Sequence, residues 1–102
     1  MATSDDGMQI LVIDDHPVYS DGIAYMLQSI FPQATILQAH TGKEALALAG
    51  ERIDIDWIFM DFQLPDTNGH QLLTAFNDLM VTAPVVMMSG SDDISLVAEA
   101  LQ

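Results

Sequence analysis

The sequence predicts an α/β fold with a doubly wound parallel sheet, and three observations carry that expectation. Short apolar runs occur at Ile10-Leu11-Val12-Ile13, Trp57-Ile58-Phe59-Met60 and Val85-Val86-Met87-Met88. Runs with no polar alternate belong to strands buried on both faces, as in parallel sheets. Between them the apolar residues switch to helical spacing. The runs end in Asp14-Asp15, Asp61 and Ser89, where an open α/β sheet places its ligands.

Residues 1–7 hold two aspartates and no apolar run, and read as a flexible N-terminus before a domain over 8–102. Tyr19, Ile23, Met26, Leu27 and Ile30 follow the first strand at i, i+4, i+7, i+8 and i+11, the stripe of a buried helix face. Pro17 suits the first turn, where its missing N–H has no partner to lose. Asp21-Gly22 is a turn signal, but the stripe continues across it, so the helix does too. Thr35-Ile36-Leu37-Gln38 is a more diluted strand and suits an edge. A weaker, Ala-rich helix runs from about Lys43 to Arg52, and a third carries Leu72, Leu73, Phe76, Leu79 and Met80. The last helix carries Ile94, Val97, Ala98 and Leu101, with Ser91 as cap and Asp92 and Asp93 at the positive dipole end.

The order is therefore βαβαβαβα, and right-handed crossovers put helices on both faces of the sheet. The last helix reaches Gln102 with no Gly, Asn or basic residue to close it. Val85–Met88 is apolar enough to want a neighbour on each side. The expectation is a domain of about four βα units, truncated before one more strand and helix. Such a truncation exposes an edge, which points to a homodimer, domain-swapped or intertwined.

Composition narrows the function. The 102 residues fit one domain, and half of them are apolar, enough for a core. Fifteen acidic residues face two basic ones, for a formal net charge of −13. Lys43 and Arg52 alone cannot release the counterions that nucleic-acid binding requires, and an anionic membrane surface would repel the chain. Zero cysteines exclude disulfides and thiolate metal sites and fit a reducing cytoplasm. No basic n-region and no apolar run near 20 residues suggests a signal peptide or a membrane span.

The chemistry lies at the strand ends. If the first, third and fourth strands are neighbours, Asp14, Asp15, Asp61 and Ser89 share one crevice. Ionised carboxylates a few ångströms apart repel one another, and a hard divalent cation relieves that. Mg²⁺ takes one or two carboxylates with waters and phosphate oxygens, so the crevice is expected to hold Mg²⁺ and draw a phosphoryl group. An Asp beside it can be the nucleophile that forms an acyl phosphate, with Ser89 on a phosphoryl oxygen. An Asp at one strand end is often only the N-cap of the next helix. Three, with Ser89, at the ends of different strands favour a site. Leu64-Pro65-Asp66-Thr67-Asn68-Gly69 reads as a turn into a helix; its spacing is faintly that of a calcium loop, but the Glu such a loop needs is missing.

Three motifs in order now carry a family resemblance: Asp14-Asp15-His16-Pro17, Met60 through Gly69, and Val85-Val86-Met87-Met88-Ser89-Gly90. From about Met8 to the chain end, the sequence resembles a response-regulator receiver domain of two-component signalling, a flavodoxin-like fold. The first motif is similar to receivers that precede a LuxR-type helix-turn-helix output domain. The resemblance implies that Asp61 is the phosphoacceptor, served by a phosphohistidine on a sensor histidine kinase. It implies Asp15 as the direct Mg²⁺ ligand, Asp14 as a mostly water-mediated one, and the backbone carbonyl of Gln63 in the metal shell. Ser89 matches the Ser/Thr switch residue and Gly90 the small residue beside the phosphoryl group. The family's fifth-strand lysine and aromatic switch residue would lie beyond Gln102.

His16, His40 and His70 read as solvated residues near helix starts, although His16 stands close to the crevice rim. Met60, Met87 and Met88 read as core, Trp57 as packing, and Glu44, Glu51 and Glu99 as solvated helix faces. The competing function is a phosphorylation-independent interaction module on the same fold. A haloacid-dehalogenase-type hydrolase would need a second Asp where Gln63 stands, and a dinucleotide-binding domain would need a Gly-rich turn after the first strand.

Overall fold

The computed structural model describes residues 7–51 and 54–88. Within them the elements run β1 (Gln9–Ile13), α1 (Pro17–Ile30), β2 (Thr35–Ala39), α2 (Gly42–Glu51), β3 (Trp57–Asp61), α3 (Gly69–Asp78) and β4 (Val85–Met88). The described strands make one parallel sheet in the order β2-β1-β3-β4. The expected α/β class and the edge position of the diluted strand both hold. The last helix with its Ser91 cap, and Ser89 and Gly90 before it, lie outside the described residues.

Both faces of the sheet are covered, which is why its central strands are apolar at every position. Ile10 and Val12 of β1, Phe59 of β3 and Met88 of β4 pack with Ile23 and Leu27 of α1. The alternate residues, Leu11, Ile13, Ile58 and Met60, pack with Ala45 and Ala49 of α2 and Leu72 and Phe76 of α3. The strand period of two thus divides one apolar run between two cores. Phe59 is fully buried, and truncating a buried aromatic of this kind to Ala costs about 3–5 kcal/mol.

The helix ends show where spacing is an incomplete guide. Pro17 opens α1 as expected, and the helix runs through Gly22. Ser20 on its buried side accepts a hydrogen bond from Gln38 Nε2 at 2.9 Å, tying α1 to the edge strand. α3 stops at Asp78, before the Leu79 and Met80 that its apolar stripe had claimed. Met80 takes φ 62° and is 84% exposed. Its N–H donates to Asn77 O at 3.0 Å, and the N–H of Val81 donates to Phe76 O at 2.9 Å. These are the paired bonds of a Schellman turn, with methionine where glycine is usual. Met87 also departs from the core assignment: it is 39% exposed on β4, whereas Met60 and Met88 are buried.

The N-terminus of α2 is held from two sides. Glu44 N donates to Thr41 Oγ1 at 3.0 Å, and Glu44 Oε1 accepts from His40 N at 2.7 Å. Glu44 is therefore part of a helix start, not only a solvated face. From the loop after β3, the Asp66 carboxylate accepts from Gly42 N at 2.8 Å and Lys43 N at 3.0 Å. A Cβ on Gly42 would collide with Thr67, so glycine permits this close approach. The Gly42 hydrogen bond leads in holding the Asp66 carboxyl below its ordinary range, with the Lys43 N–H adding to it.

Two outcomes follow. Met80→Gly should stabilise the fold by about 1 kcal/mol by removing the left-handed penalty at an exposed site, read from the urea midpoint. Asp66→Ala should lower Tm by roughly 4 °C at neutral pH through loss of the cap. Because the folded carboxyl titrates below the unfolded one, its stabilisation is present above the unfolded value. It is lost as pH falls through the folded one, so parent and variant should converge in acid, below about pH 4.

Candidate functional site

The strand order reverses between β1 and β3, and a crevice at the carboxyl ends of an open sheet forms at such a point. Register puts Ile13 beside Met60, so the residues that leave these strands emerge together. Asp14 N donates to Ala39 O at 3.0 Å, which extends the β1–β2 ladder one residue past β1. Its side chain is fully buried. Asp61 closes β3 opposite Met88, and its carboxylate remains 16% exposed.

Asp14, Asp15, His16 and Asp61 each bring one ligand atom to within 4.8 Å of the others. The sequence-predicted carboxylates are thus brought together. Gln63 lies next to them through its backbone, with Gln63 N donating to Asp61 Oδ1 at 3.2 Å. Ser89 lies outside the described residues. Asp14 is not a helix cap: its Oδ1 accepts from His16 N at 2.8 Å, and His16 itself is the N-cap of α1. Asp66, the turn residue with calcium-loop spacing, is committed to the α2 N-terminus.

His16 is exposed at the start of α1 on the crevice rim, as expected, and it also touches the acid cluster. Its Nδ1 stands 3.0 Å from Asp14 Oδ1, 3.1 Å from Asp15 Oδ1 and 3.9 Å from Asp61 Oδ2. The signal was present in Pro17, because the residue before a proline is driven to extended backbone. His16 has φ −99° and ψ 104°, and in that conformation Nδ1 meets the carboxylates while most of the ring stays in solvent.

Burial, hydrogen bonding and charge together set the ionisation of the site. Burial is the first cause holding the Asp61 carboxyl above its ordinary range, with Asp14 and Asp15 adding repulsion; the Gln63 N–H and His16 oppose the shift. The hydrogen bond to Asp14, then the charge of Asp15, raise the His16 imidazole above its usual value. Asp14 Oδ2 and Asp15 Oδ1 are shielded from solvent without a hydrogen-bond partner, and the latter faces His16 Nδ1 outside hydrogen-bond geometry. Buried carboxylate oxygens with nothing to accept from suit a divalent cation. The donor set therefore fits Mg²⁺.

Asp61→Asn tests the combined cost of burial and repulsion. A carboxyl raised in the folded state weakens the fold as it ionises above its unfolded value, and that loss disappears in acid. In chelator at neutral pH the variant should melt roughly 5 °C higher than the parent. Near pH 3 the two should coincide, as followed by circular dichroism.

Comparison with known proteins agrees with this geometry. Residues 10–102 match the family described as the response regulator receiver domain. The chain is 30% identical over 93 residues to the glycerol metabolism activator of Pseudomonas putida, covering 91% of this chain and 42% of that protein. It is 32% identical over 94 residues to the nitrate/nitrite response regulator protein NarL of Escherichia coli, covering 91% and 43%. The chain thus spans about two fifths of the length of these relatives. Among solved structures, the receiver domain of the hybrid histidine kinase CckA superposes with a TM-score of 0.77 at 27% identity, covering 91% of this chain and 94% of that one. The match across nearly the whole chain, on a parallel sheet whose strand ends gather three aspartates, shows that the protein belongs to the response regulator receiver domain family.

Proposed function

We propose that this domain accepts a phosphoryl group on Asp61, in the presence of Mg²⁺, from a phosphohistidine of a sensor histidine kinase. One observation carries the reading: three carboxylates meet at the β1–β3 crevice with buried oxygens that lack partners. Asp15 and Asp61 would bind the cation directly, Asp14 mainly through water, and the Gln63 carbonyl would complete the protein's share. When bound, Mg²⁺ offsets the negative charge of the carboxylates and of the incoming phosphoryl oxygens.

The remaining work falls to the chain. A partly exposed Asp61 oxygen attacks phosphorus, and the new O–P bond forms as the P–N bond breaks. The electron pair stays on the kinase imidazole nitrogen, which takes a proton from water. Ser89, the residue after the β4 partner of Asp61, would donate its hydroxyl to a phosphoryl oxygen. Relatives named as response or transcriptional regulators support a regulatory output, here transcriptional, in a domain following this one in the same protein. The cytoplasm is the proposed compartment, and a homodimer the proposed assembly.

Incubating the chain with Mg²⁺ and a small acyl-phosphate donor, then reducing with borohydride, tests the central step. Mass spectrometry should locate the reduced acyl phosphate at Asp61, with none in Asp61→Asn or in chelator. A folded parent that is labelled elsewhere, or not at all, would leave the phosphorylation-independent interaction module as the better account.

A further inference from the structure

We propose that Asp66 is a positioning residue of the cation site. By tying the tip of the β3–α3 loop to the N-terminus of α2, it holds the Gln63 carbonyl on the side of Asp61 and so raises the affinity for Mg²⁺. This rests on the reading of Asp14, Asp15, Asp61 and the Gln63 carbonyl as that site, and adds a residue outside it.

The loop closes as a short hairpin. Gly69 N donates to Phe62 O at 2.8 Å, and Leu64 N to Thr67 O at 3.1 Å. Gln63 and Asn68 face each other between these two bonds as an isolated antiparallel pair. A pair so placed has its own N–H and C=O groups turned away from the partner strand. The Gln63 N–H accordingly reaches Asp61 Oδ1 at 3.2 Å. In extended backbone the carbonyl of a residue lies on the same edge as its N–H. The direction of the Gln63 carbonyl thus depends on the twist of a two-bond ladder.

So short a ladder is not rigid by itself, and its tip has two anchors. Leu64 is buried in the core beside α2 and α3. Beyond Pro65, Asp66 uses both carboxylate oxygens on α2: Oδ1 accepts from Gly42 N at 2.8 Å and Oδ2 from Lys43 N at 3.0 Å. Paired bonds fix the plane of the carboxylate as well as its distance. Thr67 seats against Gly42, where a Cβ would not fit. Without Asp66 the tip can twist about Leu64, and the Gln63 carbonyl turns with it. Groups that orient a metal ligand from outside the shell carry about 10–100-fold of the affinity. A helix cap alone would stabilise α2 and leave Mg²⁺ affinity unchanged. A nearby negative charge would attract the cation without holding the loop.

Isothermal titration calorimetry with Mg²⁺ separates the three cases, in the parent, Asp66→Ala, Asp66→Asn and Gln28→Ala. Asparagine keeps an acceptor oxygen for Gly42 N and loses the charge. Gln28 Nε2 donates to the carbonyls of Phe31, Pro32 and Ala34 after α1, so Gln28→Ala weakens the fold away from the loop. Circular dichroism would verify that each variant is folded. The Mg²⁺ Kd should rise about tenfold in Asp66→Ala, less than about threefold in Asp66→Asn, and stay unchanged in Gln28→Ala. By linkage, Mg²⁺ should slow amide exchange at Gly42 and Lys43 of the parent by a similar factor. Parent-like affinity in Asp66→Ala, or amide exchange indifferent to Mg²⁺, would reduce Asp66 to a helix cap. An equal loss in Asp66→Asn would make it a charge effect, and an equal loss in Gln28→Ala general destabilisation. Each of these overturns the assignment and leaves the Mg²⁺ site standing. A folded parent that does not bind Mg²⁺ overturns both.

Discussion

Asp14 is wholly buried, and Asp61 closes the neighbouring strand within reach of the same point; much of the fold serves to hold these two against each other. Parallel register allows it. With Ile13 beside Met60, the strands deliver their next residues to one crevice at each turn of folding, whatever the charges prefer. The sheet supplies the restoring force, since its apolar runs are buried against α1 on one face and α2 and α3 on the other. Repulsion between carboxylates is short of what those cores contribute, so the fold tolerates it and leaves the site primed for a cation.

The loops around the crevice are fastened by polar contacts that involve few charges of opposite sign. Asp66 reaches across to the α2 N-terminus, Asn68 accepts from Gln71 N at the start of α3, and His16 folds over the acid pair. In a chain with 15 acidic and two basic residues, backbone N–H groups do much of the work that lysine and arginine do elsewhere. Helix N-termini are positive ends, and they face the same side of the sheet as the carboxyl ends of the strands. An acidic surface and a crevice of clustered carboxylates are thus two results of one composition.

Most of the architecture was legible from apolar runs and their spacing. Ile10–Ile13, Trp57–Met60 and Val85–Met88 are strands, and the diluted Thr35–Gln38 segment is an edge. Asp14, Asp15 and Asp61 were legible because strand ends in a doubly wound sheet converge. Periodicity failed at Leu79 and Met80, which fit the stripe but follow the last turn; a chain reversal has no hydrophobic period to betray it. It failed at Met87, an apolar residue on the last described strand of the sheet. Asp66 caps a helix that begins 24 residues earlier in the chain, a partnership that no local window contains. His16 is the solvated helix-start residue expected at the crevice rim; its contact with Asp14 was not legible, because that depends on a backbone angle set by Pro17.

If the three carboxylates form one cation site, a Mg²⁺ titration followed by Trp57 fluorescence and thermal melting will register it. Ligand at ten times its Kd stabilises a fold by about 1.4 kcal/mol, enough to raise Tm by several degrees. Saturable binding with that stabilisation is expected in the parent, both markedly weaker in Asp61→Asn. A folded parent whose fluorescence and Tm ignore Mg²⁺, or a variant that binds as tightly as the parent, would contradict it.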